Sequence, residues 1–265
     1  MEWFDAQGAL VGLAITAGVF LAMALAELVC PQRVLRHPKA RRWFTNLALF
    51  ALDSVLVRLA IPLLMVGTAV LAEERGWGLF NRIELPGWLA FALAIVLLDL
   101  ALYLQHWASH RIPLLWRLHK VHHADPDFDV TTAGRFHPVE IGLSMGYKMA
   151  VVALIGPPAM AVFVFEVLFN AASIFVHANV SLPAWAESPA RAIFVTPDMH
   201  RVHHSSVQRE TDSNYGTMLS GWDRLFSTYV AEPAAGRDGL TIGLEHYQDD
   251  RPTRLGWSLL LPFRR

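Results

Sequence analysis

Eighteen consecutive residues, Ala9 to Ala26, carry no charge, and the run stops at Glu27. At about 1.5 Å per residue a helix of that length spans most of the roughly 30 Å of hydrocarbon in a bilayer. Further apolar stretches follow. Phe44 to Ala72 is interrupted by Asp53 and Arg58, and Pro86, a favoured first helical residue, opens a stretch running to Gln105. Ile141 to Val176 is split by Gly156-Pro157-Pro158 into halves of about fifteen and eighteen residues. These runs predict an all-α chain, a multi-span membrane helical bundle of about three spans (9–29, 44–72 and 86–105) with a helical hairpin over 141–177. The hairpin is either re-entrant or just long enough to cross. With 54% hydrophobic and 17% charged residues and a positive mean hydropathy, the chain is too apolar for an ordinary soluble domain. We read 1–265 as one membrane domain, with the polar remainder forming a cytoplasmic helical cap.

The start, Met-Glu-Trp-Phe-Asp, is acidic where a signal peptide is basic, so the first run is expected to stay. The loop from Cys30 to Trp43 carries Arg33, Arg36, Lys39, Arg41 and Arg42, a density of cations that marks a cytoplasmic side. Glu73 to Leu85 suits an outer loop. Three crossings would then bring the chain beyond Gln105 out on the cytoplasmic face. The formal charge of −1 gives no footprint for nucleic acid. A single cysteine, Cys30, excludes an intrachain disulfide framework and any cysteine-built zinc or iron–sulfur site. Asp53 and Arg58, ionisable within an apolar run, are either functional or a structural contact.

On that face the histidines gather. His106, His110, His119, His122 and His123 fall within eighteen positions, and His200-x2-His203-His204 repeats the spacing of the second set. Residues three and four apart share a helix face. Pro113 divides the first two sets into separate helices, so that they can approach one centre from different directions. His177 ends the hairpin and His137 lies in Arg-Phe-His-Pro. Neutral imidazole is the commonest metal ligand, and a run like this is hard to justify by packing. Nine imidazoles exceed what one ion can use, so two ions with four or five ligands each is the economical account; iron, zinc and copper all suit imidazole. Asp99 and Tyr103 continue the His106–His110 stripe at offsets of four and three. Asp99 is therefore expected to take a ligand histidine's second N–H, directly or through Tyr103; a buried acid with another partner is the alternative. The acids of Asp125-Pro126-Asp127-Phe128-Asp129 read as a solvated loop. Glu166, Asn170 and His177 form a polar stripe inside the hairpin, and Leu255 to Arg265, apolar with terminal arginines, reads as a membrane-surface anchor. On the residues alone, two function classes fit such a centre. A zinc-dependent lipid hydrolase would want a general base near its metal, and a metal transporter would place ligands along a pathway inside the spans.

From Arg41 to Tyr229 the chain resembles the fatty acid hydroxylase and sterol desaturase superfamily of integral-membrane, histidine-rich di-iron oxygenases. The resemblance rests on Asp99-x3-Tyr103-x2-His106-x3-His110, His119-x2-His122-His123, Arg135-Phe136-His137-Pro138, Phe175-Val176-His177-Ala178-Asn179 and the Thr196 to His204 block. Asp212 to Tyr215 and Trp222 to Tyr229 are similar to the family's tail. It implies hydroxylation or desaturation of an unactivated C–H bond in a lipid, with two iron ions, O2 as co-substrate and electrons from a separate donor protein. Zinc is an expected substitute in aerobically purified material. The implied ligands are His106, His110, His119, His122, His123, His177, His200, His203 and His204. His137 joins them as a substitute where some relatives carry a histidine and this chain has Ser173; otherwise one ion keeps an open position. Asn179 and Asp198, inside two of the matching blocks, join Asp99 and Tyr103 as residues expected to brace the ligands. Trp107 stands where many relatives have arginine. The expected setting is a multi-pass protein of a bacterial inner membrane, with the metal site on the cytoplasmic side.

Overall fold

The computed structural model describes residues 7–61 and 64–264; the acidic start, Met1 to Asp5, and Arg265 lie outside them. The described chain is helical, with no β-strand among the described residues and only two isolated bridges, Phe194–Leu219 and Ser205–Ile242. Seven helices build the bundle and its first cap layer: α1 (Gly8–Val29), α2 (Lys39–Ala60), α3 (Leu64–Arg75), α4 (Gly87–Arg111), α5 (Pro113–His123), α6 (Pro138–Ile155) and α7 (Ala159–His177). Shorter helices complete the cap, α8 (Ala184–Ile193) and α9 (Pro197–His203) first, then α10 (Gln208–Thr211), α11 (Gly221–Leu225), α12 (Gly236–Gly239) and α13 (Leu255–Leu260).

Five helical stretches are long and apolar enough to cross a membrane by length and composition: α1, Lys39–Arg75, α4, α6 and α7. This is a multi-pass membrane protein. The outward leucines of α1, among them Leu10, Leu25 and Leu28, are exposed, as lipid-facing residues are. The inner packing joins α3, α4, α6 and α7 through Met65, Ala69, Leu98, Val152, Val162 and Phe165. Fully buried Ala69, Ala94 and Ala161 let these backbones approach closely, the usual device where lipid competes with protein for apolar surface.

The span expected over 44–72 falls within the candidate span Lys39–Arg75, which is built from two helices, α2 and α3. Ile61, extended at φ −127° and ψ 92°, ends α2. Pro62 follows it in the sequence, and the ring of a proline forces the preceding residue out of the helical region. The α6–α7 turn is closed by Gly156 in the left-handed region at φ 66°. A Cβ there would stand 2.5 Å from the Trp77 carbonyl oxygen, so glycine alone fits. The outer loop packs against this turn: Leu79 and Phe80 donate their N–H groups to the carbonyls of Leu154 and Ile155.

Two readings of polar sequence are corrected. Asp125, Asp127 and Asp129 are buried, not solvated. Arg42, from the cationic loop end, lies beneath them and donates Nε and Nη2 to Asp125 at 2.7 and 2.9 Å and Nη1 to Asp129 at 2.7 Å. Burial by itself pushes the Asp125 carboxyl up, but the Arg42 guanidinium and its hydrogen bonds override this and hold it below the usual carboxylate range. The C-terminal segment is not a free anchor. Trp257 and Leu261 are buried against Leu49 and Val121, while Arg135 donates Nη2 to the Pro252 carbonyl and Ser258 Oγ at 2.8 Å. The terminal turn therefore clamps α2 and α5 together, leaving Leu260 and Phe263 exposed.

Candidate metal centre

Three local signals set the histidines in place. Pro113 at the first position starts α5 immediately after α4 ends, so the stripes of His106–His110 and His119–His123 meet at an angle. Thr196 caps α9, its Oγ1 accepting from Met199 N–H, with Pro197 next. His177 is the last residue of α7. All nine converge, and they sort into two sets. In one, His106, His110, His119, His123 and His203 bring a ring nitrogen each within 4.8 Å of one another; in the other, His122, His177, His200 and His204 do the same. The sets adjoin where the rings of His123 and His204 stack with centroids 4.5 Å apart. Eight of the nine are buried and His106 is half-buried.

The outer nitrogens are held by the fold. Nδ1 of His106, His122, His177 and His203 donates to the carbonyls of Tyr215 (2.7 Å), Arg135 (3.3 Å), Ser173 (2.7 Å) and Ser213 (2.6 Å). His119 Nδ1 lies 2.6 Å from Glu140 Oε1, and His110 Nδ1 stands 3.4 Å from Asp212 Oδ1. Since a carbonyl can only accept, those four rings carry their proton on Nδ1 and present a lone pair at Nε2.

That inward array fits a metal on chemical grounds. His177 Nε2 is 3.2 Å from His122 Nε2 and 3.1 Å from His200 Nε2. For His177 and His122 no proton lies between the two lone pairs, a repulsive pairing that a cation relieves. Ligands about 2.0–2.1 Å from one ion come this close to each other. Nε2 of His106, His119, His203 and His204, and both nitrogens of His123, have no hydrogen-bond partner among the described residues. Burial first, then neighbouring imidazoles, hold His122, His123, His200 and His204 well below the ordinary histidine value, and burial takes His203 to about 3. The site is thus built neutral, the state in which imidazole binds metal.

Other expected residues lie elsewhere. His137 joins neither set: it caps α6, with Nδ1 accepting from Val139 N–H and Nε2 donating to the Leu259 carbonyl at 3.2 Å. Both its nitrogens are used, and its position at the start of α6 turns it toward the C-terminal segment. Asp99 braces no histidine; its Oδ2 accepts from Trp222 Nε1 (2.8 Å) and Leu219 N–H (3.3 Å). Tyr103 pairs with Thr228 Oγ1 at 2.8 Å. Asn179 ties the α1–α2 loop to the end of α7, exchanging bonds with both backbone groups of Arg33. Asp198 accepts from Ser181 and Arg201 and pairs with Arg237. The bracing groups are instead Glu140, Asp212 and four carbonyls, of which only that of Ser173, one turn before its ligand His177, is local on the helix. Tyr215 was also missed: it is fully buried, with its ring centroid 5.1–5.7 Å from those of His106, His110 and His203. Phe136 stacks on His122 at 4.5 Å.

The family model described as fatty acid hydroxylase matches residues 91–228, just over half of the chain, from above the first histidines to Thr228. The chain belongs to the fatty acid hydroxylase family. Among the relatives of this family member, ornithine lipid hydroxylase OlsE of Rhizobium tropici is 31% identical over 141 residues, 53% of this chain and 42% of that protein. Alkylglycerol monooxygenase of Xenopus tropicalis is 31% identical over 179 residues, 65% of this chain and 38% of that one. The very-long-chain aldehyde decarbonylase GL1-11 of Oryza sativa subsp. indica is 29% identical over 156 residues, 57% of this chain and 58% of that one. The chain thus spans less than half the length of the first two. No solved structure matches it significantly.

Proposed function

We propose that this fatty acid hydroxylase family member is an O2-dependent lipid hydroxylase or desaturase carrying two iron ions. His106, His110, His119, His123 and His203 would hold one ion, and His122, His177, His200 and His204 the other. The observation that carries this reading is the pair of adjoining imidazole sets, with lone pairs turned inward, at one end of an apolar bundle. Iron so held supplies the redox chemistry that lets O2 attack an unactivated C–H bond, which zinc, having no redox cycle, does not. The chain's own part is to fix the tautomers through Nδ1, to keep the site neutral and to exclude water behind Phe136 and Tyr215. We take the electrons to come from a separate donor protein; residues 1–265 carry one cysteine and so no cysteine-built redox centre of their own. The relatives named for ornithine lipids and alkylglycerols support a lipid substrate met in the membrane.

We place the site on the cytoplasmic side of a bacterial inner membrane, with 1–265 acting as one membrane domain. Arg36, Lys39 and Arg41 support that side; Arg33 and Arg42 are engaged within the fold, with the Leu240 carbonyl and with the two aspartates. The test is turnover in membranes supplied with ferrous iron, a reductant system and 18O2. Label in a lipid product is the expected result for hydroxylation, and loss of two hydrogens with O2 consumed for desaturation. Product formed equally well under argon would overturn the oxygenase reading in favour of a hydrolase.

A further inference from the structure

A cavity of about 1180 Å³ opens between α1 and α3, with α7 as its back wall and the turn Val130–Gly134 at its inner end. Ordinary small-molecule pockets run from about 300 to 1,000 Å³, so this one is sized for something longer. Its inner end reaches the backbone that braces the metal centre, although none of the nine histidines lines it. Ser173, whose carbonyl takes His177 Nδ1, lines it, as does Gly134, which precedes the Arg135 whose carbonyl takes His122 Nδ1.

The wall is largely apolar, but one stripe of it is not. Glu166, Asn170 and Ser173 all line the cavity, and their spacing of four and three puts them on one face of α7, continued after four more residues by His177. Along the axis they stand about 16, 10 and 6 Å from His177. Polar groups on such a wall are costly in a membrane and mark a path for something that bonds to them. Among the charged residues of the wall, Arg58 and Glu74 stand at exposed positions, and the Glu166 carboxylate has Lys148 of α6 as its electrostatic neighbour. Asn170, both donor and acceptor, is left as the neutral contact.

We propose that this cavity is the lipid site of the chain and that it takes an amphipathic lipid with a neutral hydrogen-bonding group. The hydrocarbon lies between α1 and α3, and the polar group rests on the Asn170 stripe. As an account of the substrate this deepens the oxygenase reading and rests on it, but binding needs neither metal nor O2, so the two can fail separately.

The experiment is photolabelling of the full chain in nanodiscs with a long-chain primary alcohol carrying a mid-chain diazirine. Adducts are expected on Leu13, Ala17, Phe163 and Val167, displaced by the unlabelled alcohol and much less by the alkane of equal length. Ala17→Trp, which projects bulk into the cavity, should lose these adducts. Asn170→Leu should keep the adducts but lose the preference for alcohol over alkane. Each variant's metal retention, compared with that of the parent protein, reports that the fold is intact. Adducts spread equally over the outward residues of α4, such as Trp88 and Val96, would mean ordinary surrounding lipid and overturn the proposal, as would undiminished labelling in a folded Ala17→Trp protein. An unchanged alcohol preference in Asn170→Leu would overturn the polar contact.

Discussion

Glu140 Oε1 lies 2.6 Å from His119 Nδ1, joining the first turn of α6 to the middle of α5 across twenty-one residues of sequence. A carboxylate in this position fixes the ring and raises its basicity as a ligand. Glu140→Gln keeps an oxygen that can accept the Nδ1 proton but removes the charge; Glu140→Leu removes both. Metal affinity should fall modestly in the first and by about 10–100-fold in the second. Competition with a graded series of chelators measures this, and equal affinity in all three proteins would remove Glu140 from the site.

His137 and His200 separate a cap from a ligand. His200→Ala should take metal from the four-histidine set, lowering the metal count per chain and abolishing turnover. His137→Ala should retain metal, since both nitrogens of His137 are spent on Val139 N–H and the Leu259 carbonyl. Its loss should appear as a fall in stability of about 1 kcal/mol, the typical worth of a helix cap. Elemental analysis with a thermal melt on each protein distinguishes the outcomes. Loss of half the metal from His137→Ala would show it to be a ligand.

What was legible in the sequence was what repeats locally. His106-x3-His110, His119-x2-His122-His123 and His200-x2-His203-His204 sit on single helical elements, so spacing alone announced shared faces, and Pro113 announced the angle between the first two. Most bracing groups were not legible, because the fold brings them; the Ser173 carbonyl, one turn before His177, is the local exception. Ser213 reaches His203 across ten residues, and Tyr215 reaches His106 across 109. Carbonyls leave no mark in composition at all. Asp99 misled for the opposite reason: its helical stripe is real, but α11 docks Trp222 onto it first. The Asp125–Asp129 acids were misread because polarity was equated with exposure, when Arg42, more than eighty residues earlier, was available to pair with them. Pro62 marked the break after Ile61 in plain view; an apolar run was followed through it.

Arg42 carries the next prediction. Its side chain is fully buried between Asp125 and Asp129. Arg42→Met leaves two buried carboxylates uncompensated and should destabilise by about 3–5 kcal/mol, seen as a large fall in melting temperature. Arg42→Met combined with Asp125→Asn and Asp129→Asn should recover much of it. The pH dependence has a fixed sign. The folded Asp125 carboxyl is held below its ordinary value, so its contribution is present in full at neutral pH. It is lost only as the pH falls below about 3.9, the unfolded value, toward the depressed folded one. A parent protein already losing stability between neutral pH and mild acid through this pair would contradict the assignment.

The sidedness of the membrane can be read with single cysteines, because Cys30 is the one native thiol and Cys30→Ser gives a silent background. Val34 and Gln208 are exposed at the histidine end of the molecule, and Glu73 is exposed at the far end of α3 near the α6–α7 turn. Val34→Cys and Gln208→Cys should both be shielded from an impermeant maleimide in intact cells and react once the membrane is opened, while Glu73→Cys should react from outside. The cationic loop and the histidine cap are tied by bonds that leave little freedom: Arg36 and His37 N–H donate to Asp127, and Asn179 holds Arg33. The first two positions must therefore give the same answer if the fold is right, whichever side they face. Disagreement between them would break the fold; agreement on the outer side would keep the fold and reverse the orientation, requiring the electron donor to approach from outside the cell.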